Sequence, residues 1–187
     1  MTRVRADDYD DKRQSILDNA AALFARKGFE AATMVEVAQA CGASKSHLYH
    51  YFGRKEDLLF EIVRAHITAQ VSELEVVVRA DLPAEQRFEQ FVAAFVERGA
   101  HSRNEHLVLM NDIKFLAERE RREVRKLEKR IVDLMVGVLH EINPELMPAT
   151  QPRGPYAMLL FGMIIWTFTW YEKNGSITPR ELAARIS

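Results

Sequence analysis

The chain has 187 residues, 48% of them hydrophobic, and a formal net charge of −1, so it can bury a substantial core but lacks the excess charge of a nonspecific nucleic-acid coat. A single cysteine, Cys41, excludes a disulfide framework within the chain and reads as a small packed residue. The acidic start, with Asp7, Asp8, Asp10 and Asp11, carries no signal or transit pattern, and the longest apolar run, 156–171, is too short to span a bilayer, so a cytoplasmic protein is expected.

Residues 1–11 are expected to form a flexible acidic tail. From Lys12 to Lys27, Ile16, Leu17, Ala20, Leu23 and Phe24 recur at helical spacing until Gly28. Thr33 followed by Glu36 is a capping box that starts a short helix, which Gly42 ends by adopting the left-handed backbone. Ser44 is the N-cap residue type for a second short helix. Its apolar contacts reduce to Leu48 and Phe52, while Lys45, Ser46, His47, Tyr49, His50 and Tyr51 are left for other work. Two short helices about one tight turn make a helix-turn-helix, whose second helix enters the DNA major groove. Charge agrees: residues 12–55 hold seven Lys or Arg against Asp18, Glu30 and Glu36, whereas the remainder is acidic on balance.

After Gly53 a long amphipathic helix runs to about Arg79, with Leu58, Leu59, Ile62, Val63, Ile67, Val71 and Leu74 inward. Pro83 opens the next helix, with Phe88, Phe91, Val92, Phe95 and Val96 at period 3.6 as far as about Ser102. Asn104 is expected to cap a short helix from Glu105 to about Lys114. A charged helix over 118–142 carries the apolar stripe Val124, Leu127, Ile131, Leu134, Met135, Val138 and Ile142. A proline-rich break over 143–155 precedes an apolar helix over 156–171, which Lys173, Asn174 and Gly175 are expected to stop. Thr178, Pro179 and Glu181 then form another capping box. No segment alternates as a strand, so the fold class is all-α with about nine helices.

The run Ala43-Ser-Lys-Ser-His-Leu-Tyr-His-Tyr-Phe-Gly-Arg-Lys-Glu-Asp-Leu-Leu59, with Lys27-Gly28-Phe29 and Ala32-Thr33 before it, closely resembles the DNA-binding domain of TetR/AcrR-type transcriptional regulators. The resemblance implies a helix-turn-helix domain over 12–54 and a ligand-binding and dimerisation domain over 55–187. It implies a homodimer on palindromic double-stranded DNA, released by a small-molecule effector, with no membrane partner. Carried over by position, Thr33, Ser44, Tyr49 and Lys55 look like phosphate contacts, Lys45, Ser46, His47 and His50 like base-edge readers, and Tyr51 like either. Hydroxyls and helix-start amides suit phosphate, and a lysine near a recognition-helix start reaches guanine acceptors.

For the sensor, apolar and Met-rich positions offer a candidate ligand set of Phe95, Met110, Phe115, Met135, Met158, Phe161 and Trp166, and ordinary core is the competing reading for each. Basic residues at the start of helix 118–142, or Arg98 and Arg103, are candidates for an anionic head group. The ending Phe161-Gly-Met-Ile-Ile-Trp-Thr-Phe-Thr-Trp-Tyr171 with Ser176-Ile-Thr-Pro-Arg-Glu-Leu182 resembles the acyl-CoA-responsive branch of the family, which implies an acyl-CoA effector, a phenylacetyl-CoA-like one preferred. A multidrug or efflux-type sensor of lipophilic compounds is the alternative. Gly162, Trp166 and Trp170 share a helix face and are read as the dimer interface. An acyl-CoA-handling enzyme ranks last. There is no nucleophile–base pair, His–Glu metal spacing or glycine-rich phosphate loop, so no catalytic residue, no metal site and no cofactor beyond the effector are expected.

Overall fold

The computed structural model describes residues 2–148, 152–171 and 175–187. Among the described residues it contains nine α-helices and no strand: α1 Thr2–Lys27, α2 Met34–Ala40, α3 Lys45–Tyr51, α4 Lys55–Val78, α5 Ala84–His101, α6 Arg103–Asp112, α7 Glu118–Ile142, α8 Gly154–Trp170 and α9 Pro179–Ile186. A 3₁₀ turn, Ile113–Phe115, follows α6. The all-α expectation holds.

Local chemistry explains most of the boundaries. The Thr33 hydroxyl accepts the Glu36 amide at 3.3 Å while the Glu36 carboxylate accepts the Thr33 amide at 2.9 Å, closing the capping box of α2. At its other end the Ala43 amide reaches Ala38 O at 2.9 Å and the Gly42 amide reaches Gln39 O at 3.0 Å, with Gly42 at φ +61°. That pair of bonds is a Schellman stop, and only a residue without Cβ takes its backbone freely. Ser44 Oγ accepts the His47 amide at 3.1 Å and starts α3 four residues after α2 ends. Thr178 and Glu181 repeat the capping box at α9.

Three boundaries differ from expectation, one of them the start of α8, which begins at Gly154 within the expected 143–155 break. Helix α1 begins at Thr2 rather than Lys12, because no glycine or proline interrupts it and the stripe through Ile16 continues backward through Arg13 to Tyr9. The expected flexible tail is therefore helical. Helix α6 starts at Arg103, so Asn104 lies inside it instead of capping it, and its last turn tightens to 3₁₀. The expected stop at Lys173 and Asn174 lies outside the described residues.

The chain divides into two compact units: residues 1–66 with 104–124, and 67–103 with 125–187. The division differs from the expected boundary at residue 54, since the first half of α4, α6 and the start of α7 all group with the helix-turn-helix.

In the first unit, Leu17, Ala20, Leu23 and Phe24 of α1, Val37 and Ala38 of α2, Leu48 and Phe52 around α3, and Leu58, Leu59, Ile62 and Val63 of α4 are buried together with Val108 and Leu109 of α6. Arg13 ties α1 to α4 through Glu61 at 2.5 Å and lies over the Phe52 ring.

In the second unit α5 packs on α9 and on α8. Phe91, Val92, Phe95 and Val96 of α5 and Ala157, Leu160, Phe161 and Ile164 of α8 are buried, as are Ile131, Leu134, Met135 and Val138 of α7. The Phe161 ring lies 5.1 Å from that of Phe95 and 6.3 Å from that of Phe91. Gly99 lets α5 approach α8 closely, since the Phe168 ring occupies the space a Cβ there would fill. Arg130 of α7 pairs with Glu75 at 2.6 Å, and Arg87 of α5 pairs with Glu141.

Candidate DNA-binding site

The two caps that start α2 and α3, with the Schellman turn between them, present one face of α3 to solvent. Leu48 points inward and is fully buried, while Ser44, Lys45, Ser46, His47, Tyr49 and His50 are exposed. That division follows from the 100° step of a helix. One anchor in two turns is enough to dock α3 and leave its remaining faces free.

The exposed side chains are organised. Lys45 Nζ lies 5.7 Å above the Tyr49 ring, a cation–π contact that holds the ammonium near the helix start. Ser44 Oγ acts as acceptor for its cap, which leaves its O–H able to donate to an oxyanion. Thr33 is more committed: besides accepting the Glu36 amide, its hydroxyl donates to Glu36 Oε2 at 2.9 Å. Hydrogen bonds from Lys27 and then Thr33 hold the Glu36 carboxyl below its ordinary value. A phosphate at Thr33 would have to displace that carboxylate as the acceptor of the hydroxyl's hydrogen bond. Tyr51, half-buried at the end of α3, stacks on Tyr9 of α1 and touches the edges of His47 and His50.

Lys55 departs from the sequence reading. Its ammonium donates to the carbonyls of Phe29 at 2.7 Å, Glu30 at 3.2 Å and Ala32 at 2.8 Å, and lies 4.3 Å from the Phe29 ring centroid. All three N–H donors are therefore engaged on the turn between α1 and α2, where Lys55 acts as a clamp. Position alone could not reveal this, because the carbonyls that capture Lys55 lie 23–26 residues away. The Phe29 ring is further held by Phe24 at 5.3 Å and Phe115 at 5.2 Å.

Cys41, half-buried in the turn, has its thiol pushed up by burial, which suits a packed residue rather than a reactive one.

The candidate ligand residues are not gathered in one place. Phe95, Met135 and Phe161 are buried in the second unit, Met158 and Trp166 lie on the opposite, exposed side of α8, and Met110 and Phe115 belong to the first unit. Gly162 and Trp170 share the exposed side with Met158, Leu159, Met163 and Trp166, so the three residues read as a dimer interface do form one face. A groove of about 560 Å³ in the second unit is lined by Glu73, Val76 and Val77 of α4 and by Ala94, Glu97, Arg98 and His101 of α5 with Ser102.

Comparison with known proteins decides the family. The pattern of bacterial regulatory proteins of the tetR family matches residues 16–62, and that of the tetracyclin repressor-like C-terminal domain matches residues 81–187. The chain belongs to the TetR family. It is 28% identical over 188 residues to the HTH-type transcriptional repressor KstR2 of Rhodococcus jostii, covering 98% of this chain and 92% of that one. A TetR-family regulator from Bordetella parapertussis superposes with a TM-score of 0.88 at 34% identity, over 93% of this chain and 91% of that one. AibR in complex with isovaleryl coenzyme A and operator DNA shares the fold, with a TM-score of 0.81 at 22% identity over 94% and 95% of the two chains. As a TetR-family protein the chain is a DNA-binding transcriptional regulator rather than an enzyme, and no described helix is long and apolar enough to cross a membrane.

Proposed function

We propose that this TetR-family regulator is a ligand-controlled repressor that grips a palindromic operator as a twofold dimer and is released by an acyl-CoA thioester. The observation that carries the reading is the outer face of α8. Leu159 and Trp166 are 71% and 67% exposed there, beside Met158, Met163 and Trp170. A row of this size is costly to leave in water, and a second copy of the same face is its self-complementary cover. A dimer of this kind sets two α3 helices about 34–36 Å apart or a multiple of that, the repeat of successive major grooves.

Lys45, Ser46, His47 and His50 are then the base readers, and Ser44 and Tyr49 serve the phosphates. Repression is supported by the likeness to KstR2, a repressor by name. The thioester class is supported by AibR, whose complex contains isovaleryl coenzyme A, and by the apolar α5–α8 layer of the second unit; in the groove of that unit Arg98 is paired with Glu73, a partner that an anionic tail would have to displace. A phenylacetyl-CoA-like compound, with a flat acyl group for the Phe95 and Phe161 layer, is the preferred member. The effector must bind the DNA-incompetent state more tightly, and DNA must weaken effector binding by the same factor.

A thermal-shift screen of phenylacetyl-CoA and short branched acyl-CoAs against lipophilic cations tests the effector. Stabilisation by a thioester, with release from a selected duplex, is expected. Stabilisation by cations alone would replace the proposal with an efflux-type sensor.

A further inference from the structure

Helix α1 reaches past the supporting role that its apolar stripe predicts. Two turns into α1 lies Tyr9, whose ring stacks on that of Tyr51 with centroids 4.7 Å apart and planes 26° apart. Tyr51 in turn presents its ring to two histidines: His47 at 5.3 Å and 67°, and His50 at 5.6 Å and 84°, both edge to face. Four rings from two helices thus form one cluster joining α1 to α3, with Tyr51 at its centre.

We propose that Tyr9 is a positioning residue for sequence readout: it fixes the Tyr51 ring, and through it the orientations of the two base-reading histidines. Both histidines are exposed, so neither is immobilised by burial, and an exposed side chain hops between rotamers unless something holds it. Readout by hydrogen bonds to base edges requires the imidazole to be held in one orientation before DNA arrives. The stacked tyrosine pair supplies that restraint from a helix already anchored in the core by Ile16, Leu17 and Ala20.

Direct contact of Tyr9 with the DNA backbone is the less favoured role. Asp10 and Asp11 follow it and are exposed, and carboxylates at that turn repel phosphate. The distribution of charge therefore separates restraint of α3, which ignores salt, from phosphate binding, which does not.

The inference rests on His47 and His50 as base readers, which is tested separately with His47→Ala and His50→Ala. The full chain is used to select duplexes from a random-sequence library, and affinities are then measured for the selected duplex and a shuffled duplex of equal composition. If neither histidine variant changes the selected sequence, the assignment of base readers fails and the positioning of them by Tyr9 falls with it. With that assignment standing, Tyr9→Ala is expected to lower affinity for the selected duplex roughly 2- to 10-fold, the value of one aromatic pair, to leave the shuffled duplex unchanged and to relax base preference at the positions read by His47 and His50. Tyr9→Phe, which keeps the stack, should behave as wild type. Tyr9→Leu, which keeps apolar bulk without a flat ring, should behave as Tyr9→Ala and guards against loss of helix packing as the cause. Equal loss on both duplexes, no change in Tyr9→Ala, or a defect in Tyr9→Phe as large as in Tyr9→Ala would each overturn the proposal.

Discussion

Lys55 and His106 show how a single side chain acquires a role that its neighbours in sequence do not announce. The Lys55 ammonium makes three bonds to carbonyls and lies over the Phe29 ring, and charge-assisted bonds of this kind contribute about 1–3 kcal/mol. Lys55→Ala should therefore lower the melting temperature, while the slope of log affinity against log salt stays that of wild type. A shallower slope would return Lys55 to the phosphate contacts. His106 is buried in the first unit beside the ring of His66, 5.7 Å away, and burial pushes its pKa down from 6.5 to about 4. The folded state then binds fewer protons than the unfolded one, so stability present above pH 6.5 is lost as pH falls toward about 4. Denaturant midpoints measured across that window should fall steeply in wild type and less in His106→Phe. Glu61 acts in a lower window. Burial opposes its ionisation, but hydrogen bonds from Arg64 and Arg13 outweigh burial and hold the carboxyl below 4.5, so its contribution disappears only in more acidic solution.

At the scale of elements, the sequence was most legible where the governing bond spans three or four residues. The capping boxes at Thr33 and Thr178, the cap at Ser44, the stop at Gly42 and the full extent of α7 all depend on chemistry within one turn. Gly42→Ala should accordingly destabilise the first unit by about 1–2 kcal/mol, the cost of the left-handed backbone to a residue with Cβ, measurable as a shift in the denaturant midpoint. Where partners lie far apart in the chain, the pattern gave the face but not what covers it. Helix α8 is apolar on nearly every side, so its period could not separate Phe161, which meets Phe95, from Trp166, which faces out. Tyr9 was legible in principle, lying one turn before Arg13 on the stripe of α1, but a tyrosine among aspartates reads as tail until Tyr51 is placed beside it. Gly99 was silent for the same reason. Gly99→Ala should cost about 1–3 kcal/mol by driving a methyl into the Phe168 ring, and a double variant that also shortens Phe168 should recover part of the loss.

For the whole molecule, the proposed dimer rests on the exposed row on α8. Trp166→Glu combined with Trp170→Lys should convert the species in sedimentation analysis to a monomer and abolish high-affinity operator binding, while the circular dichroism of the helices persists, because both side chains are largely exposed in the single chain. A dimer that survives this change would move the interface elsewhere. The first unit takes up 104–124 as well as the first 66 residues, and in it Phe115 supports the Phe29 ring to which Lys55 is clamped. A chimaera joined at residue 54, transplanting the DNA-reading end onto a foreign sensor, would leave behind a piece of its own foundation. Engineering of new regulators from this scaffold needs two grafts, 1–66 and 104–124, and a recombination event at the obvious boundary would yield a reader that sags at the turn between α1 and α2.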